Sequence, residues 1–167
     1  MLVLRRYLTT IVYVAAIVAV NWAFVRVDPI PLPGGWGVWQ PVALVVGFVF
    51  VLRDFAQREI GHFVLAAMAV GVVLSYFMAD AAVAIASATA FLVSELADWA
   101  VYSYTKRPLS QRIVWSSVIS TPVDSAVFLW MVGFLSLGTF LAMTASKLVG
   151  ALIVWWLVRR REGPQPA

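Results

Sequence analysis

Apolar residues run in long blocks along this chain, and polar residues gather between the blocks. A helix needs about 20 mostly apolar residues to cross the hydrocarbon core of a bilayer. Six segments meet that need: Tyr7 to Val25, Val38 to Ile60, Phe63 to Ala79, Ala81 to Tyr104, Ile113 to Leu135 and Phe140 to Val158. The pattern predicts an all-α integral membrane protein of six transmembrane helices. They form a single domain over residues 1–162, and a short disordered cytoplasmic tail is expected over 163–167. Only Arg26 to Gln40 makes a sizeable loop, and its run Asp28-Pro29-Ile30-Pro31-Leu32-Pro33-Gly34-Gly35 cannot be regular helix. Gly61, Asp80, Lys106-Arg107-Pro108 and Ser136 to Thr139 supply the other breaks.

Composition strengthens this reading. Hydrophobic residues make up 63% of the 167 positions and charged residues 12%. A soluble domain has about 45–50% and about 25%, and one of this size could not hide so much apolar surface. A soluble enzyme, a nucleic-acid-binding domain and a disordered chain are excluded. The net charge of +4 is topology rather than a binding patch. With the N-terminus inside, Arg5, Arg6, Arg53, Arg58, Lys106, Arg107, Arg112, Arg159, Arg160 and Arg161 fall on or near the cytoplasmic side, and only Arg26 falls outside. The positive-inside rule therefore predicts both termini in the cytoplasm. The first apolar run is long enough to span and lacks a clean cleavage site, so it reads as a helix rather than a secretion signal. Without cysteine, and with one histidine, the chain has no metal-ligand cluster. It also lacks a phosphate-cradling glycine motif, so it does not itself hydrolyse ATP. No cofactor is expected, and no catalytic residue.

The informative residues are those a bilayer should have excluded. A charge at a helix centre costs about 2.5–3.5 kcal/mol on insertion scales. Asp54, Glu95, Asp98, Asp124 and Lys147 nevertheless lie within the apolar segments, with Asn21 and Gln57 as neutral company. Steps of three and four align Ser87, Phe91, Glu95, Asp98 and Tyr102 on the fourth helix. The same spacing aligns Ser117, Thr121, Asp124 and Phe128 on the fifth, and Gly47, Phe50, Asp54, Gln57 and Gly61 on the second. Such stripes should face a protein interior or a wet cavity. Counted from the cytoplasmic ends, Glu95 lies about 14 Å deep, Asp124 and Lys147 about 16 Å, and Asp98 about 9 Å. Three helices thus bring Glu95, Asp124 and Lys147 toward the midplane, where transporters commonly bind substrate. Two acids beside one lysine leave negative charge for a cationic or hydrogen-bond-donating solute. A short echo, Ser-x-x-x-Asp-x-Ala-Val-aromatic, relates Ser94–Tyr102 to Ser120–Phe128, as an inverted repeat would.

At these residues the chain resembles a family. Leu52-Arg53-Asp54-x-x-Gln57-Arg58-x-x-Gly61 resembles the second-helix motif of the queuosine precursor transporters, also called vitamin uptake transporter-like or VUT proteins. Ala86-Ser87-x-x-Ala90-Phe91-x-x-Ser94-Glu95-x-x-Asp98 is similar to the fourth-helix motif. Ser116-Ser117 with Asp124-Ser125-x-x-Phe128 is similar to the fifth, and Lys147 matches a lysine of the last helix. The likeness runs from about Trp36 to Val158. It implies a bacterial inner-membrane importer of 7-cyano- and 7-aminomethyl-7-deazaguanine, salvaged for queuosine in tRNA. It also implies a fold similar to the S components of energy-coupling-factor transporters. Short loops after the third and fifth helices depart from the family pattern.

The residues suit such a base. One carboxylate can accept its adjacent ring N–H and amine in a charge-assisted pair. Lys147, Asn21 or Gln57 could donate to the ring carbonyl, and aromatic rings could stack on it. The expected substrate site is Glu95, Asp124, Lys147, Phe91, Asp98, Ser87 and Asn21. The expected gate or coupling group is Arg53, Asp54, Gln57 and Arg58. Partners are the deazaguanine base and the lipid bilayer, with a homodimer open and no nucleic acid.

Plainer readings stand beside these. The acids could only pair with Lys147 to hold the bundle. Arg53 and Arg58 could be positive-inside anchors, and Asn21 could be interhelical glue. Trp22, Trp36, Trp39, Trp155 and Trp156 read as interfacial belt, whereas Trp99, Trp115 and Trp130 could stack on a solute. Ala15-x-x-x-Ala19 is a small-residue packing face like the one S components use to dock a partner. Alternative functions are an S-type binding subunit needing a separate ATPase, a transporter of another planar base or vitamin, a lipid-directed membrane enzyme and a structural subunit.

Overall fold

The computed structural model describes residues 7–105 and 109–160; side chains at 95, 98–105, 109–114, 116, 158 and 159 are outside the description. The described residues form six α-helices: α1 (Leu8–Arg26), α2 (Val42–Ile60), α3 (Val64–Met78), α4 (Ala81–Thr105), α5 (Leu109–Met131) and α6 (Leu137–Arg159). The chain is an all-α membrane protein. Its described helical stretches long and apolar enough to cross a bilayer are Leu8–Arg26, Ala43–Met78 and Leu137–Leu157, the second covering α2 and α3 together. Ala81–Ser94 and Ser117–Met131 are shorter apolar stretches. The expected tail over 163–167 lies outside the described residues.

Local chemistry sets the boundaries. Gly61 follows α2 at φ 60°, a left-handed conformation that favours glycine, and separates α2 from α3. Asp80 caps α4: its Oδ1 accepts the Val83 N–H at 2.9 Å. Ser136 does the same for α6, accepting the Thr139 N–H at 3.2 Å. That cap starts α6 three residues before the Phe140 expected from hydropathy. The second helix needs a larger correction. Val38 and Trp39 belong to strand β2 (Val38–Trp39), paired antiparallel with β1 (Ile30–Pro31), and α2 begins only at Val42. Alternation is too short over Val38-Trp39 to tell strand from helix. The intervening prolines and glycines make the 3-10 turn Pro33–Gly35.

Each helix packs mainly on two others, and these neighbours close a ring in the order α1, α2, α6, α5, α4, α3 and back to α1. Glycines set two of the closest approaches. A Cβ on Gly47 would overlap the Lys147 carbonyl and lie 3.0 Å from Gly150 Cα, so α2 and α6 touch backbone to backbone. Gly71 on α3 leaves room for the Ile17 side chain of α1. The outer surface is apolar: Phe63, Phe77, Leu96, Trp130 and Leu137 are all exposed. Buried polar side chains, among them Asn21, Arg53, Asp54, Ser94, Thr121, Asp124 and Lys147, occupy the inside. This distribution suits a solvent of lipid.

Candidate functional site

All six helices contribute to one central cavity. Ile17, Asn21 and Phe24 come from α1, Val46 and Val49 from α2, Met68 and Val72 from α3, Ser87 and Phe91 from α4, Asp124 and Phe128 from α5, and Met143 and Lys147 from α6. The cavity is narrow, with a volume of about 40 Å³. One water needs about 10–15 Å³ of such space.

At its wall Lys147 Nζ donates to Asp124 Oδ2 at 2.5 Å. Both residues are buried, at 1% and 5% exposure. The pair ties α6 to α5 through one carboxylate oxygen of Asp124. Asp124 stands two residues beyond Pro122, which lies inside α5 and removes one backbone hydrogen bond there. Nearby hydroxyls satisfy themselves locally: Thr121 donates to the Ser117 carbonyl and Ser94 to the Phe91 carbonyl. Such back-bonding lets a hydroxyl sit in an apolar helix without a distant partner.

The aromatic wall is ordered. Phe91 stacks on Phe50, with ring centroids 5.4 Å apart and planes 9° apart, and Tyr13 packs against it at 6.4 Å. Phe24 and Phe128 meet edge to face at 4.8 Å. These are the favoured geometries for aromatic pairs.

Of the residues expected to bind substrate, Asp124, Lys147, Phe91, Ser87 and Asn21 line this cavity. The side chains of Glu95 and Asp98 lie outside the described residues. Asn21 is also interhelical glue, because its Nδ2 donates to Ser75 Oγ at 3.0 Å, and Ser75 donates on to the Gly71 carbonyl at 2.8 Å. Toward the opposite end from the hairpin, Arg53 Nε lies 3.5 Å from Asp54 Oδ1. Arg53 Nη1 donates to Gln57 Oε1 at 3.4 Å. Arg58 is exposed and does not join them.

Some expectations need correction. Arg53 is not a surface anchor: at 2% exposure its guanidinium is inside the bundle. Trp115 and Trp130 face outward at 48% and 72% exposure, so neither stacks on a solute in the cavity, and the Trp99 side chain lies outside the described residues. Trp39 fastens the hairpin to α6, its Nε1 donating to Ser146 Oγ at 2.8 Å. Trp22 and Trp156 are each half exposed beneath a guanidinium, Arg26 at 4.3 Å and Arg160 at 3.5 Å.

Other interior residues were missed from sequence. Ser75 stood as a lone polar residue in the apolar run of α3, which was a usable signal. Glu59 accepts from the Thr9 N–H at 3.2 Å and from the Thr10 N–H and hydroxyl at 3.0 and 2.9 Å, capping α1 from α2. Gln40 caps the other end of α1, its Nε2 donating to the Phe24 and Val27 carbonyls at 3.3 and 3.0 Å. Nothing local in the sequence marks either of these tertiary caps.

A ring of helices with a lipid-facing apolar surface and a charged interior cavity defines a multi-pass membrane protein. Residues 38–159 match the model of the family described as "Putative vitamin uptake transporter". The chain belongs to that family. No curated protein and no solved structure matched it.

Proposed function

We propose that this protein imports 7-deazaguanine bases, the 7-cyano and 7-aminomethyl queuosine precursors, across the bacterial inner membrane, with both termini in the cytoplasm. The observation that carries the reading is the central cavity, where Asp124 and Lys147 meet beside Phe91. The Asp124 carboxylate accepts the base's paired N–H donors, Lys147 donates to its ring carbonyl, and Phe91 stacks on its face. Ser87 and Asn21 supply further polar contacts, and Glu95 and Asp98 add negative charge from α4. Arg53, Asp54 and Gln57 form the gate on the cytoplasmic side, with Arg58 at its rim.

A bicyclic base needs more room than the cavity has. Met68 and Met143 border it, and methionine is the side chain that repacks most easily. Substrate entry therefore requires these two to move, as an alternating-access cycle demands. The test is the queuosine content of tRNA in a host that can neither make nor salvage the precursors. Wild-type protein should restore queuosine when either base is fed, and Asp124→Asn should not. Failure of the wild type with both bases would overturn the reading.

A second reading has one observation in its favour. An apolar groove of about 670 Å³ on the outer surface between α1 and α3 includes Ala15, Ala19 and Leu74. Small residues there suit docking of another helix, as in a binding subunit that works with a separate ATPase. Uptake by a host carrying only this chain separates the two.

A further inference from the structure

A separate chamber lies between the hairpin and the central cavity. Its volume is about 200 Å³, against about 40 Å³ for the central one. Phe24 and Met143 line both, so these two side chains form the partition. The hairpin side is covered by Pro29, Val38 and Gln40. The rest of the lining is apolar except for Thr139, whose Oγ1 already accepts from the Val38 N–H and from Ser136.

Gln40 is the exception that carries chemistry. It is 7% exposed, and its Nε2 is committed to the Phe24 and Val27 carbonyls. Two carbonyl neighbours fix which end of the amide is the nitrogen. Among the described residues its Oε1 is buried without a hydrogen-bond partner. A buried acceptor left in this condition is unfavourable, and a ligand donor that meets it gains the bond and removes the penalty.

We infer that this chamber is a second binding subsite. It takes a flat heteroaromatic solute whose faces pack on the apolar lining and whose ring N–H donates a hydrogen bond to Gln40 Oε1. Phe24 then presents one ring to the occupant of the chamber while packing edge to face on Phe128 of the central cavity. The solute pauses here before Phe24 and Met143 part. The inference rests on the transport reading for the solute's identity but not for the existence of the subsite.

The chain has no cysteine, so a single cysteine reports on one chamber without further engineering. Val132 lines the hairpin-side chamber only. Purified Val132→Cys protein, also carrying Asp124→Asn to weaken the central site, would be labelled with a maleimide. The probes are 7-cyano-7-deazaguanine and an analogue methylated at its ring N–H positions. The base should slow labelling about five- to tenfold more than the methylated analogue, the factor expected of one hydrogen bond. Gln40→Leu should abolish the difference. Protection by the methylated analogue should be unchanged in Gln40→Leu, so a loss of the difference there is not a loss of fold. Equal protection by both probes, or a difference that persists in Gln40→Leu, would overturn the subsite. Wild-type proteoliposomes run in parallel for uptake test the transport reading separately: no uptake with N–H-dependent protection would overturn transport and uphold the subsite.

Discussion

Lys147 and Asp124 form a buried ion pair across the α5–α6 contact, with Nζ 2.5 Å from Oδ2, at the wall of a cavity that all six helices share. Burying two charges is expensive, and mutual attraction offsets the cost only when the geometry is good. Removing one partner strands the other. Lys147→Met and Asp124→Asn should each lower thermal stability in detergent by roughly 3–5 kcal/mol, the range for broken buried pairs. The double variant should recover much of that stability. Both singles and the double should lose uptake if the pair is the substrate site. A double variant that regains transport along with stability would reduce the pair to a structural clamp.

The Gly47–Gly150 crossing gives a second expectation. A methyl at Gly47 meets backbone, namely the Lys147 carbonyl and Gly150 Cα, and backbone cannot swing aside. Gly47→Ala should therefore push α6 away from α2 and cost about 1–3 kcal/mol or more, as overpacking does. It should also disturb uptake, because Lys147 sits on the displaced turn. At Gly61 none of the described residues lies within 4 Å of a new Cβ, and the φ of 60° is what opposes substitution. Gly61→Ala should cost about 1 kcal/mol and leave uptake near normal. Melting temperatures of the two variants check the ranking, and a larger loss at Gly61 would contradict the backbone contact.

What the sequence disclosed follows from what lipid penalises. Asp124, Lys147 and Asn21 stood out because a bilayer has no water to solvate them, and the stripe through Ser87 and Phe91 followed from helical spacing. Each of these residues lines the central cavity. Gln40 and Glu59 could not be read this way. They sit at segment ends, where polar residues are ordinary, and their burial depends on a neighbouring helix end arriving beside them. The hairpin strand at Val38 looked like helix because two apolar residues carry no period. Trp115 and Trp130 misled because an indole is as compatible with lipid as with a pocket. Ser75 is visible as a polar residue in the apolar run of α3, but its hydroxyl can bond its own helix, so the pattern does not show that it also accepts from Asn21.

Glu59 offers a local test of the bundle's opposite end. Its carboxylate accepts the first free N–H groups of α1, at Thr9 and Thr10, where a negative charge also favours the helix dipole. Glu59→Ala should cost about 1 kcal/mol, the usual value of a lost N-terminal cap. Exchange of the Thr9 and Thr10 amides with deuterium should speed up while amides near Asn21 stay protected. Unchanged exchange at Thr9 and Thr10 would show that the contact contributes nothing to α1.

Phe91 and Phe50 separate stacking on a solute from packing in the core. Phe91 borders the central cavity, while Phe50 lies behind it and does not. Both are buried, so truncation of either leaves a hole of similar size. If Phe91 stacks on the transported base, Phe91→Leu removes the platform as well as core volume. Aromatic–base stacking is worth about 1–3 kcal/mol, so the KM for uptake should rise by about five- to a hundredfold. Phe50→Leu removes only the brace. It should lower thermal stability comparably yet raise KM much less, because the Phe91 ring remains available to the base. Phe91→Tyr keeps a face of the same shape and should hold KM near the wild-type value, provided its hydroxyl finds a polar neighbour in the cavity. Uptake kinetics in proteoliposomes, read beside melting curves, distinguish these cases. Equal KM changes in Phe91→Leu and Phe50→Leu would make Phe91 a core residue that happens to border the cavity, and the substrate would then have to be held by Asp124 and Lys147 without an aromatic floor.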